Sequence, residues 1–300
     1  QVGGQTALKL GKRLVKAGIQ IFGTAFERID FAEDRGAFSD LLIRLDIPFP
    51  EYGTATDVEG ALSIADRIGY PVLIRPSYVL GGQGMRIAVK QEELERYVAN
   101  ILKTHPENAF LIDKYLEQAI EVDVDSVYDG EQLHIAGMMQ HIEPAGVHSG
   151  DSTAVIPPYS LSEEIQATIR AYQERIAEAM DIQGFLNVQY AVKDDKVYIL
   201  EANPRTTRTI PFLAKATQRP EAAIGVKVML GAKLSEFDLE SKLKCWAIKE
   251  PVFPFDKFPG VKKELGPEMK STGESIYFAQ DFKDEHFRKP FEFKNLYLSK

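Results

Sequence analysis

The sequence is poor in cysteine, with Cys245 as the single one in 300 residues. A lone cysteine cannot form an internal disulfide, and no Cys/His metal cluster can be built around it. We therefore expect a reducing, cytoplasmic setting. We also expect the Cys245 thiol to be buried and inert rather than catalytic, because a free cysteine usually behaves as a small hydrophobic residue.

Positive charge and long apolar runs are also scarce. The 36 Lys and Arg residues are outnumbered by 44 Asp and Glu, which gives a net charge of -8. An acidic chain without a basic run is a poor nucleic-acid binder, so we expect no nucleic-acid partner. No apolar stretch reaches the roughly 20 residues that span a bilayer, and no signal peptide is visible, so we expect no membrane partner. The chain begins at Gln1 and enters a Gly-Gly turn, which suggests a piece of a longer protein.

Helical and strand patterns alternate along the chain, with 44% hydrophobic residues for a core. This mixture predicts an α/β (α+β) fold, and the many hairpins in the middle predict mostly antiparallel sheets. We predict helices over 7–17, 30–45, 57–68, 91–103, 162–180, 211–216 and 220–230. We predict strands over 19–22, 72–74, 85–89, 110–112, 121–127 and 132–140, and a hairpin over 185–203. The polar segment 143–158 predicts a functional loop.

The predicted hairpin over 185–203 carries three oxygen donors, Gln189, Glu201 and Asn203. If 194–196 form its loop, Gln189 lies opposite Glu201 on one face, whereas a two-residue loop would put them on opposite faces. Asn203 shares the face of Glu201 because alternate strand residues point the same way. Such ligands suit a Mg²⁺ ion that also binds phosphates. Taken alone, the hairpin favours the alternative of a polar, solvent-facing strand end.

Two arginines, Arg205 and Arg208, follow this hairpin. Beside a metal and phosphates, their guanidinium groups could neutralise charge on a transferring phosphoryl group. The alternative is an ordinary pair of surface arginines. A second signal is the glycine-rich segment 77–84, which follows a predicted buried strand ending near Arg75. Its backbone N–H groups could approach phosphates closely, although such loops also serve as plain connectors and this one lacks the Walker A pattern.

Two further segments could line a nucleotide site. The segment 113–116 lies between two predicted strands, and with a nearby acid it could hold adenine and ribose. The acids that follow, Glu121, Asp123 and Asp125, could equally form the solvent-facing side of a strand. In the polar segment 143–152, His148 could act as an acid–base group or be a plain hydrogen-bonding residue.

These blocks together resemble the ATP-grasp ligases, in which a glycine loop, a hinge acid, a polar loop and a Gln…Glu-x-Asn metal hairpin follow in this order. More closely, they are similar to the large subunit of carbamoyl-phosphate synthetase. The blocks that carry this likeness are VGGQT (2–6), RPSYVLGG (75–82), EVDVD (121–125), HIEPAGVHSGDS (141–152), NPRTTRTIPF (203–212), FPFDKFPG (253–260) and LGPEMKSTGE (265–274). The resemblance covers roughly residues 1–275.

The resemblance implies a domain plan. The end of a Rossmann-like pre-ATP-grasp subdomain would occupy 1–25, and the ATP-grasp domain would occupy 26–275. A glycine-loop lid would cover about 50–125. Residues 276–300 would form a linker or the start of a following domain.

The resemblance also implies ligands and site residues. The ligands would be ATP and Mg²⁺ or Mn²⁺, with the metal held by Gln189, Glu201 and Asn203. Arg205 and Arg208 would be the catalytic residues near the phosphoryl acceptor. The ATP-binding residues would be Arg35, Arg75, Gly81, Gly82, Lys114, Leu116, Glu121, Gly146, Val147, His148, Ser149, Gln189 and Glu201. Lys114 departs from the histidine expected at this hinge position, although its backbone could serve equally well.

The implied reaction is ATP-dependent phosphorylation of carbamate to carbamoyl phosphate, because the RTIPF and FPFDKFPG blocks resemble the second half of that large subunit. This step would belong to carbamoyl phosphate synthesis from bicarbonate, glutamine-derived ammonia and ATP, for arginine or pyrimidine biosynthesis. The implied partners are a glutaminase small subunit and the other ATP-grasp half. Two alternatives are another ATP-grasp ligase, such as a biotin-carboxylase-like enzyme, and a non-catalytic nucleotide-binding regulatory module.

Overall fold

A computed structural model describes residues 1–3, 7–76, 84–104, 109–257, 260 and 263–280. In these residues the strands form two sheets with antiparallel pairing throughout, as the hairpin pattern predicts. The four-stranded sheet has the order β1-β4-β2-β3, with β1 Tyr52–Ala55, β2 Val72–Pro76, β3 Arg86–Ala88 and β4 Phe110–Lys114. The seven-stranded sheet has the order β11-β10-β7-β6-β5-β8-β9. Its strands are β5 Ile120–Tyr128, β6 Leu133–Pro144, β7 Ala154–Ile156, β8 Gly184–Lys193, β9 Lys196–Asn203, β10 Trp246–Val252 and β11 Gly273–Ala279.

Eight α-helices lie in the described residues. They are α1 Gly11–Lys16, α2 Phe26–Glu33, α3 Arg35–Arg44, α4 Val58–Ile68, α5 Gln91–Thr104, α6 Glu163–Ala179, α7 Thr209–Thr217 and α8 Glu221–Met229. Short 3₁₀ turns occupy 149–151, 234–236 and 255–257. None of the helices in the described part of the chain combines the length and the apolar character that crossing a membrane requires.

The single helix predicted over 30–45 is wrong, since two helices meet there at Asp34. Asp34 has an extended backbone, with φ -79° and ψ 105°. Its side chain accepts a hydrogen bond from the Ala37 N–H at 3.0 Å and so caps α3. Aspartate is a favoured N-cap because its carboxylate satisfies a free N–H of the first turn. The break makes Arg35 the first residue of α3.

Two other predicted segments differ from the structure. Residues 19–22, predicted as a strand, have no strand structure, because they find no paired neighbour among the described residues. The predicted loop over 143–158 contains β7, which joins the large sheet between β6 and β10. Local composition predicts neither difference, because a strand exists only where another strand pairs with it. Cys245 is half-buried rather than buried.

The four-stranded sheet and helices α4 and α5 form a unit with its own core. Asp57 caps α4 through the Gly60 N–H at 2.7 Å, and Gly69 ends the helix with φ +77°. The core residues include Val72, Ile74, Leu94, Val98, Phe110 and Ile112. This unit occupies 52–114, inside the predicted lid range of 50–125. The strand that follows, β5, belongs to the large sheet.

The large sheet is covered on both faces near its centre. On one face, Val122 and Val124 of β5 share a core with Ile169 and Ile176 of α6. On the other face, α7 packs so closely that a Cβ at Gly137 of β6 would lie 2.3 Å from Leu213. Asp125 pairs with Gly137, so its side chain lies on the α7 face. The central strand is therefore enclosed by helices on both sides.

Candidate functional site

Gln189 and Glu201 lie opposite each other on β8 and β9, although the hairpin loop has two residues rather than three. Lys193 pairs with Lys196, and the loop residues Asp194 and Asp195 both have positive φ, 51° and 57°. Such a turn suits the twist of a two-residue hairpin. Between the pairs Tyr190–Ile199 and Gln189–Glu201 the register shifts, so one extra residue of β9, Leu200, bulges out. The bulge restores the facing pair that a two-residue loop alone would have lost.

The register aligns polar residues in two rows across three strands. The first row runs from Glu201 through Gln189 to Asp123. The second runs from Asn203 through Asn187 to Asp125. Alternate residues of a strand share a face, so all six side chains point to the same side of the sheet. Asn187 was missed by sequence reasoning, although its spacing of two from Gln189 was a usable signal.

The carboxylates of β5 are not on a solvent-facing side, and that alternative is wrong. Glu121, Asp123 and Asp125 are each at most 4% exposed. The sequence alternation is the same for a wet face and for a buried polar site, and only the helices packed on both faces distinguish them. Asp123 and Asp125 are therefore the buried ends of the two polar rows, and Glu121 is buried beside them.

The predicted metal ligands contact one another. Asn203 Nδ2 donates to Glu201 Oε1 at 2.9 Å, and Gln189 Nε2 donates to Ser149 Oγ at 3.1 Å. Because Gln189 donates through its nitrogen, its carbonyl oxygen remains the acceptor for a cation. Arg205 Nη2 donates to Asn203 Oδ1 at 2.9 Å, so a metal there would share this oxygen or displace Arg205. The predicted set is thus assembled, with one of its oxygens held by an arginine.

This donor set fits a hard cation that brings its other ligands with it. Among the described residues, no group of three or more His, Cys, Asp or Glu side chains is placed to hold a metal ion. Gln189, Glu201 and Asn203 contain one carboxylate and two amides, all with oxygen donors. The Glu201 side chain is 43% exposed and accessible from solvent. Mg²⁺ is commonly bound by one or two carboxylates together with water and substrate phosphates.

Arg35 and Arg75 approach the same place from different elements. Arg35 Nη1 donates to the carbonyl of the bulged Leu200 at 2.9 Å. Its Nη2 lies 3.0 Å from Asp113 of β4. Arg75, at the end of β2, lies 3.5 Å from Asp113 and 3.9 Å from Glu201. Asp113 thus holds two predicted phosphate-binding arginines beside the polar rows, a role that its sequence context did not reveal.

The polar segment 143–152 folds against the hinge, which is the segment 115–119 between β4 of the small sheet and β5 of the large sheet. Gly146 has φ +103°, and a Cβ there would lie 2.6 Å from the Tyr115 ring, so only glycine fits. Tyr115 donates to the Ala145 carbonyl at 2.6 Å. Val147 is buried in the same turn. Ser149, through its contact with Gln189, brings the segment to the polar rows.

His148 takes the hydrogen-bonding role in this structure. Its Nδ1 accepts from the Gly150 N–H at 3.0 Å, and the backbone N–H of His148 donates to the Gly266 carbonyl at 2.8 Å. Burial lowers the pKa of the imidazole, which favours the neutral form. Asp151 accepts from the backbone N–H groups of Lys270 and Ser271 at 2.7 and 2.8 Å. The block over 265–274 therefore closes over this segment.

The Lys114 side chain holds the end of β4 against the neighbouring backbone. Its Nζ donates to the carbonyls of Gly69 and Tyr70, at 3.0 and 2.9 Å, just after α4. A role for Lys114 in holding adenine would therefore fall to its backbone. Leu116 packs near Ala145 and Ala191 at the start of the large sheet. Gly81 and Gly82 lie outside the described residues.

Glu121 is buried just after this hinge, and its surroundings shift the pKa of its carboxyl group. Burial raises the pKa of Glu121 to about 7, with Asp123 and Glu201 adding to the rise while His141 and the Gly146 N–H oppose it. Burial alone would lower the pKa of His141, but Asp123, with Oδ2 3.2 Å from its Nε2, raises it overall. With a pKa of about 7, the Glu121 carboxyl group can accept or donate a hydrogen bond near neutral pH.

The two predicted catalytic arginines differ in burial. Arg205 is half-buried, and burial lowers the pKa of its guanidinium, although the group stays charged. Arg208 is exposed, and a Cβ at Gly150 would lie 2.6 Å from its Nη2. Its Nη1 contacts Met269 Sδ at 3.1 Å. The two do not form an ordinary surface pair, since Arg205 is bound to Asn203 and Arg208 packs over the polar segment.

Sequence comparison finds relatives among the carbamoyl phosphate synthase large chains. The carbamoyl phosphate synthase large chain of Archaeoglobus fulgidus is 54% identical over 284 residues, which are 94% of this chain and 26% of that protein. The carbamoyl phosphate synthase large chain, C-terminal section, of Methanocaldococcus jannaschii is 52% identical over 300 residues, which cover 96% of this chain and 48% of that protein. The chain thus spans between about a quarter and a half of the length of these relatives.

The fold is shared with an ATP-grasp protein of solved structure. The biotin carboxylase domain of the Hydrogenobacter thermophilus 2-oxoglutarate carboxylase, in complex with MgADP, ADP and bicarbonate, has a TM-score of 0.72 at 18% identity. The likeness covers 91% of this chain and 68% of that chain, and at this identity it shows the fold alone. The predicted ATP-grasp fold is confirmed. Residues 34–237 match the family described as "Carbamoyl-phosphate synthase L chain, ATP binding domain". The chain belongs to this family, a family of ATP-dependent ligases, as its motifs predict.

Proposed function

We propose that this chain phosphorylates carbamate with ATP to form carbamoyl phosphate. The observation that carries the proposal is the convergence of oxygen donors and arginines at the β9 end of the polar rows. The oxygen donors are Gln189, Glu201 and Asn203, and the arginines are Arg35, Arg75 and Arg205. Arg208 lies over the neighbouring polar segment, at Gly150. A nucleoside triphosphate needs this combination, because its phosphates are bound both by positively charged side chains and by a metal ion.

The choice of carbamate as acceptor depends on the relatives. The Methanocaldococcus jannaschii protein, 52% identical, is named as a C-terminal section of the large chain. The RTIPF and FPFDKFPG blocks resemble that second half as well. Both facts support carbamate over bicarbonate as the group that receives the phosphoryl.

The residues of this chain would contribute position and charge. Arg35 and Arg75, held by Asp113, would bind the ATP phosphates from two sides. Arg205 and Arg208 would neutralise charge on the acceptor and the transferring phosphoryl group while a carbamate oxygen attacks in line. A Mg²⁺ or Mn²⁺ ion bound by Gln189, Glu201 and Asn203 would supply further charge neutralisation at the phosphates. Such chemistry needs no protein nucleophile.

The hinge would position the nucleoside and exclude water. The backbone around Lys114 and Leu116 would flank adenine, and Glu121 would hold the ribose. The segment 146–149 and the small sheet would close over the phosphates, with Gly81 and Gly82 in the lid loop. Closure of such a lid limits transfer of the phosphoryl group to water.

The cellular setting is part of the proposal. We infer that the chain acts with a glutaminase small subunit that supplies ammonia and with the other ATP-grasp half, which activates bicarbonate. These units would work in the cytoplasm, for arginine or pyrimidine biosynthesis. Residues 1–25 would complete a Rossmann-like subdomain, and 276–300 would lead into a following domain.

The test is the partial back reaction. The purified protein is incubated with MgADP and carbamoyl phosphate, and ATP is measured, with acetyl phosphate as the control substrate and Glu201→Ala as the blank. We expect ATP to form with carbamoyl phosphate alone and the variant to be inactive.

Other outcomes would identify which part fails. Metal-dependent nucleotide binding without ATP formation would contradict the carbamate step and revive the non-catalytic module. Equal use of acetyl phosphate would argue against a carbamate-specific acceptor site. Absence of nucleotide binding by the folded protein would remove the site assignment altogether.

A further inference from the structure

The segment that carries the two catalytic arginines is tied to the sheet by one buried acid, Asp125. Thr207 Oγ1 donates to Asp125 Oδ1 at 2.7 Å, and Thr209 Oγ1 donates to Asp125 Oδ2. The two threonine hydroxyls also contact each other at 2.6 Å. These threonines lie on either side of Arg208 in the chain. One carboxylate thus holds the backbone immediately before and after a catalytic arginine.

The tie is long-range and rigid at one end. Thr207 and Thr209 are 82 and 84 residues from Asp125 in sequence. Asp125 lies in β5, an interior strand of the large sheet, and is 2% exposed. Asn187, its partner in the second row, also hydrogen-bonds its carboxylate. Hydrogen bonds to a buried carboxylate are stronger than those between neutral groups.

These hydrogen bonds lie at the start of α7, next to Arg208. Arg208 stands at the N-cap position of α7 but cannot cap it, because a guanidinium group has no acceptor for the free N–H groups of the first turn. Its guanidinium reaches over Gly150 towards Met269 instead. Thr209 is the first residue of α7 and is buried. The hydroxyl bonds to Asp125 therefore fix the start of the helix without using the arginine. Arg208 is left free to face the polar segment.

We propose that Asp125 is a positioning residue for phosphoryl transfer, acting through Thr207 and Thr209 to set Arg208, and with it Arg205, against the reacting groups. This inference rests on the proposed function for its kinetic consequence, but the tie itself is a property of the chain. In the described residues the hydrogen-bond partners of the Asp125 carboxylate are Thr207, Thr209 and Asn187, and none of these is a predicted metal ligand. Loss of this carboxylate should therefore reduce turnover more than nucleotide binding, because misplacing a catalytic group acts on the transition state.

The experiment compares Asp125→Asn, Thr209→Val and Thr209→Ser in the back reaction with MgADP and carbamoyl phosphate. Asn replaces one acceptor oxygen by a donor, Val removes the hydroxyl at constant size, and Ser keeps it. We expect kcat to fall at least tenfold in Asp125→Asn and Thr209→Val, with the Kd for MgADP changed less than threefold. Thr209→Ser should recover most of the rate lost in the valine variant.

A matched control lies at the other end of the same helix. Thr217 is a buried threonine of α7 whose hydroxyl donates to the Leu213 carbonyl at 2.8 Å, away from Asp125. Thr217→Val should lower thermal stability while kcat stays within about threefold of the parent value. The double variant Asp125→Asn/Thr209→Val should be no slower than the slower single variant, since both changes break one link.

A second readout separates this inference from the proposed function. Hydrogen–deuterium exchange should become faster at residues 205–210 in Asp125→Asn and Thr207→Val, and stay unchanged in β8 at 186–191. If the parent protein makes ATP but the Asp125 and Thr209 variants keep its kcat, the positioning role is wrong and the function stands. If the parent makes no ATP, the function fails, and unchanged exchange at 205–210 would overturn the positioning role as well.

Discussion

Gln189 faces Glu201 because Leu200 bulges out of β9 and its carbonyl is bound by Arg35. A bulge normally leaves one residue outside the strand ladder. Here the freed carbonyl accepts from Arg35 Nη1 at 2.9 Å, so the irregular strand is also the anchor of a predicted phosphate-binding arginine. One extra residue in β9 thus positions both the predicted metal ligands and a predicted phosphate-binding arginine.

Replacement of Glu201 by glutamine should weaken metal-dependent nucleotide binding. The change keeps the shape and removes the single negative charge of the predicted metal set, so we expect at least a tenfold rise in the Kd for MgADP. Calorimetry with and without Mg²⁺ measures the effect, and Glu164→Gln on the exposed side of α6 is the matched control. Equal weakening with and without Mg²⁺ would show that Glu201 does not act through a metal.

The stability of the protein should depend on pH through Glu121. Its folded-state pKa is raised from the ordinary value of 4.5 to about 7, mainly by burial. The folded protein then binds more protons than the unfolded chain in this window, so stability falls as pH rises from 4.5 to 7. A shift of this size corresponds to roughly 3 kcal/mol. Denaturant unfolding across this range should show the fall.

A matched pair of variants isolates that contribution. Glu121→Gln removes the titrating group, so its unfolding free energy should gain on the parent by roughly 3 kcal/mol across the window. Glu117→Gln, at an exposed position four residues earlier, should follow the parent curve. Parallel curves for parent and Glu121→Gln would show that Glu121 titrates normally.

Lys114→Met should loosen the hinge without removing nucleotide binding. The ammonium group donates to two carbonyls after α4, and hydrogen bonds from a charged group contribute about 1.5–3 kcal/mol. We expect a loss of about 1–2 kcal/mol in unfolding free energy, because the lysine is partly exposed. The Kd for MgADP should change less than fivefold, whereas Lys90→Met, at an exposed position, should change neither quantity. A large loss of affinity would instead place the Lys114 side chain on the nucleotide.

Breaking a buried ion pair should lower the free energy of unfolding more than breaking an exposed one. Arg219 lies 2.7 Å from Glu221, which also contacts His134 at 3.1 Å, all buried. Arg219→Met leaves this carboxylate poorly compensated and should cost roughly 3–5 kcal/mol. Arg67→Met breaks a surface pair with Glu51 and should cost at most about 1 kcal/mol. Thermal unfolding of both variants measures the contrast, and similar losses would contradict the argument from burial.

Several helix ends lie at capping residues that can be read from the sequence. Helix α4 begins after Asp57 and ends at Gly69, as the side-chain chemistry of the one and the backbone freedom of the other predict, and Ser162 caps α6. The same local reasoning failed at Asp34, where a capping residue in the middle of a helical pattern divides one predicted helix into two. Capping and helix continuation compete at such a position, and the winner depends on where the neighbouring helices pack.

The candidate site was predicted in its members more than in its arrangement. The positions of Gln189, Glu201, Asn203, Arg35 and Arg75 came from motif order and resemblance, and the structure brings them together. Asp113 and Asn187 were not foreseen, because their roles depend on partners in other strands. The place of Lys114 beside adenine stays a prediction for its backbone, because its side chain binds the carbonyls of Gly69 and Tyr70.

The sequence by itself determined the family, the antiparallel hairpins and the residue types of the site, because these reside in short motifs and in strand periodicity. The tertiary structure alone decided that Leu200 bulges, that the acids of β5 are buried, and that Asp125 holds the segment of Arg208. Each of these depends on contacts between segments far apart in the chain. Strand register and burial are set by those contacts and by the helices that cover the sheet, which no local pattern encodes.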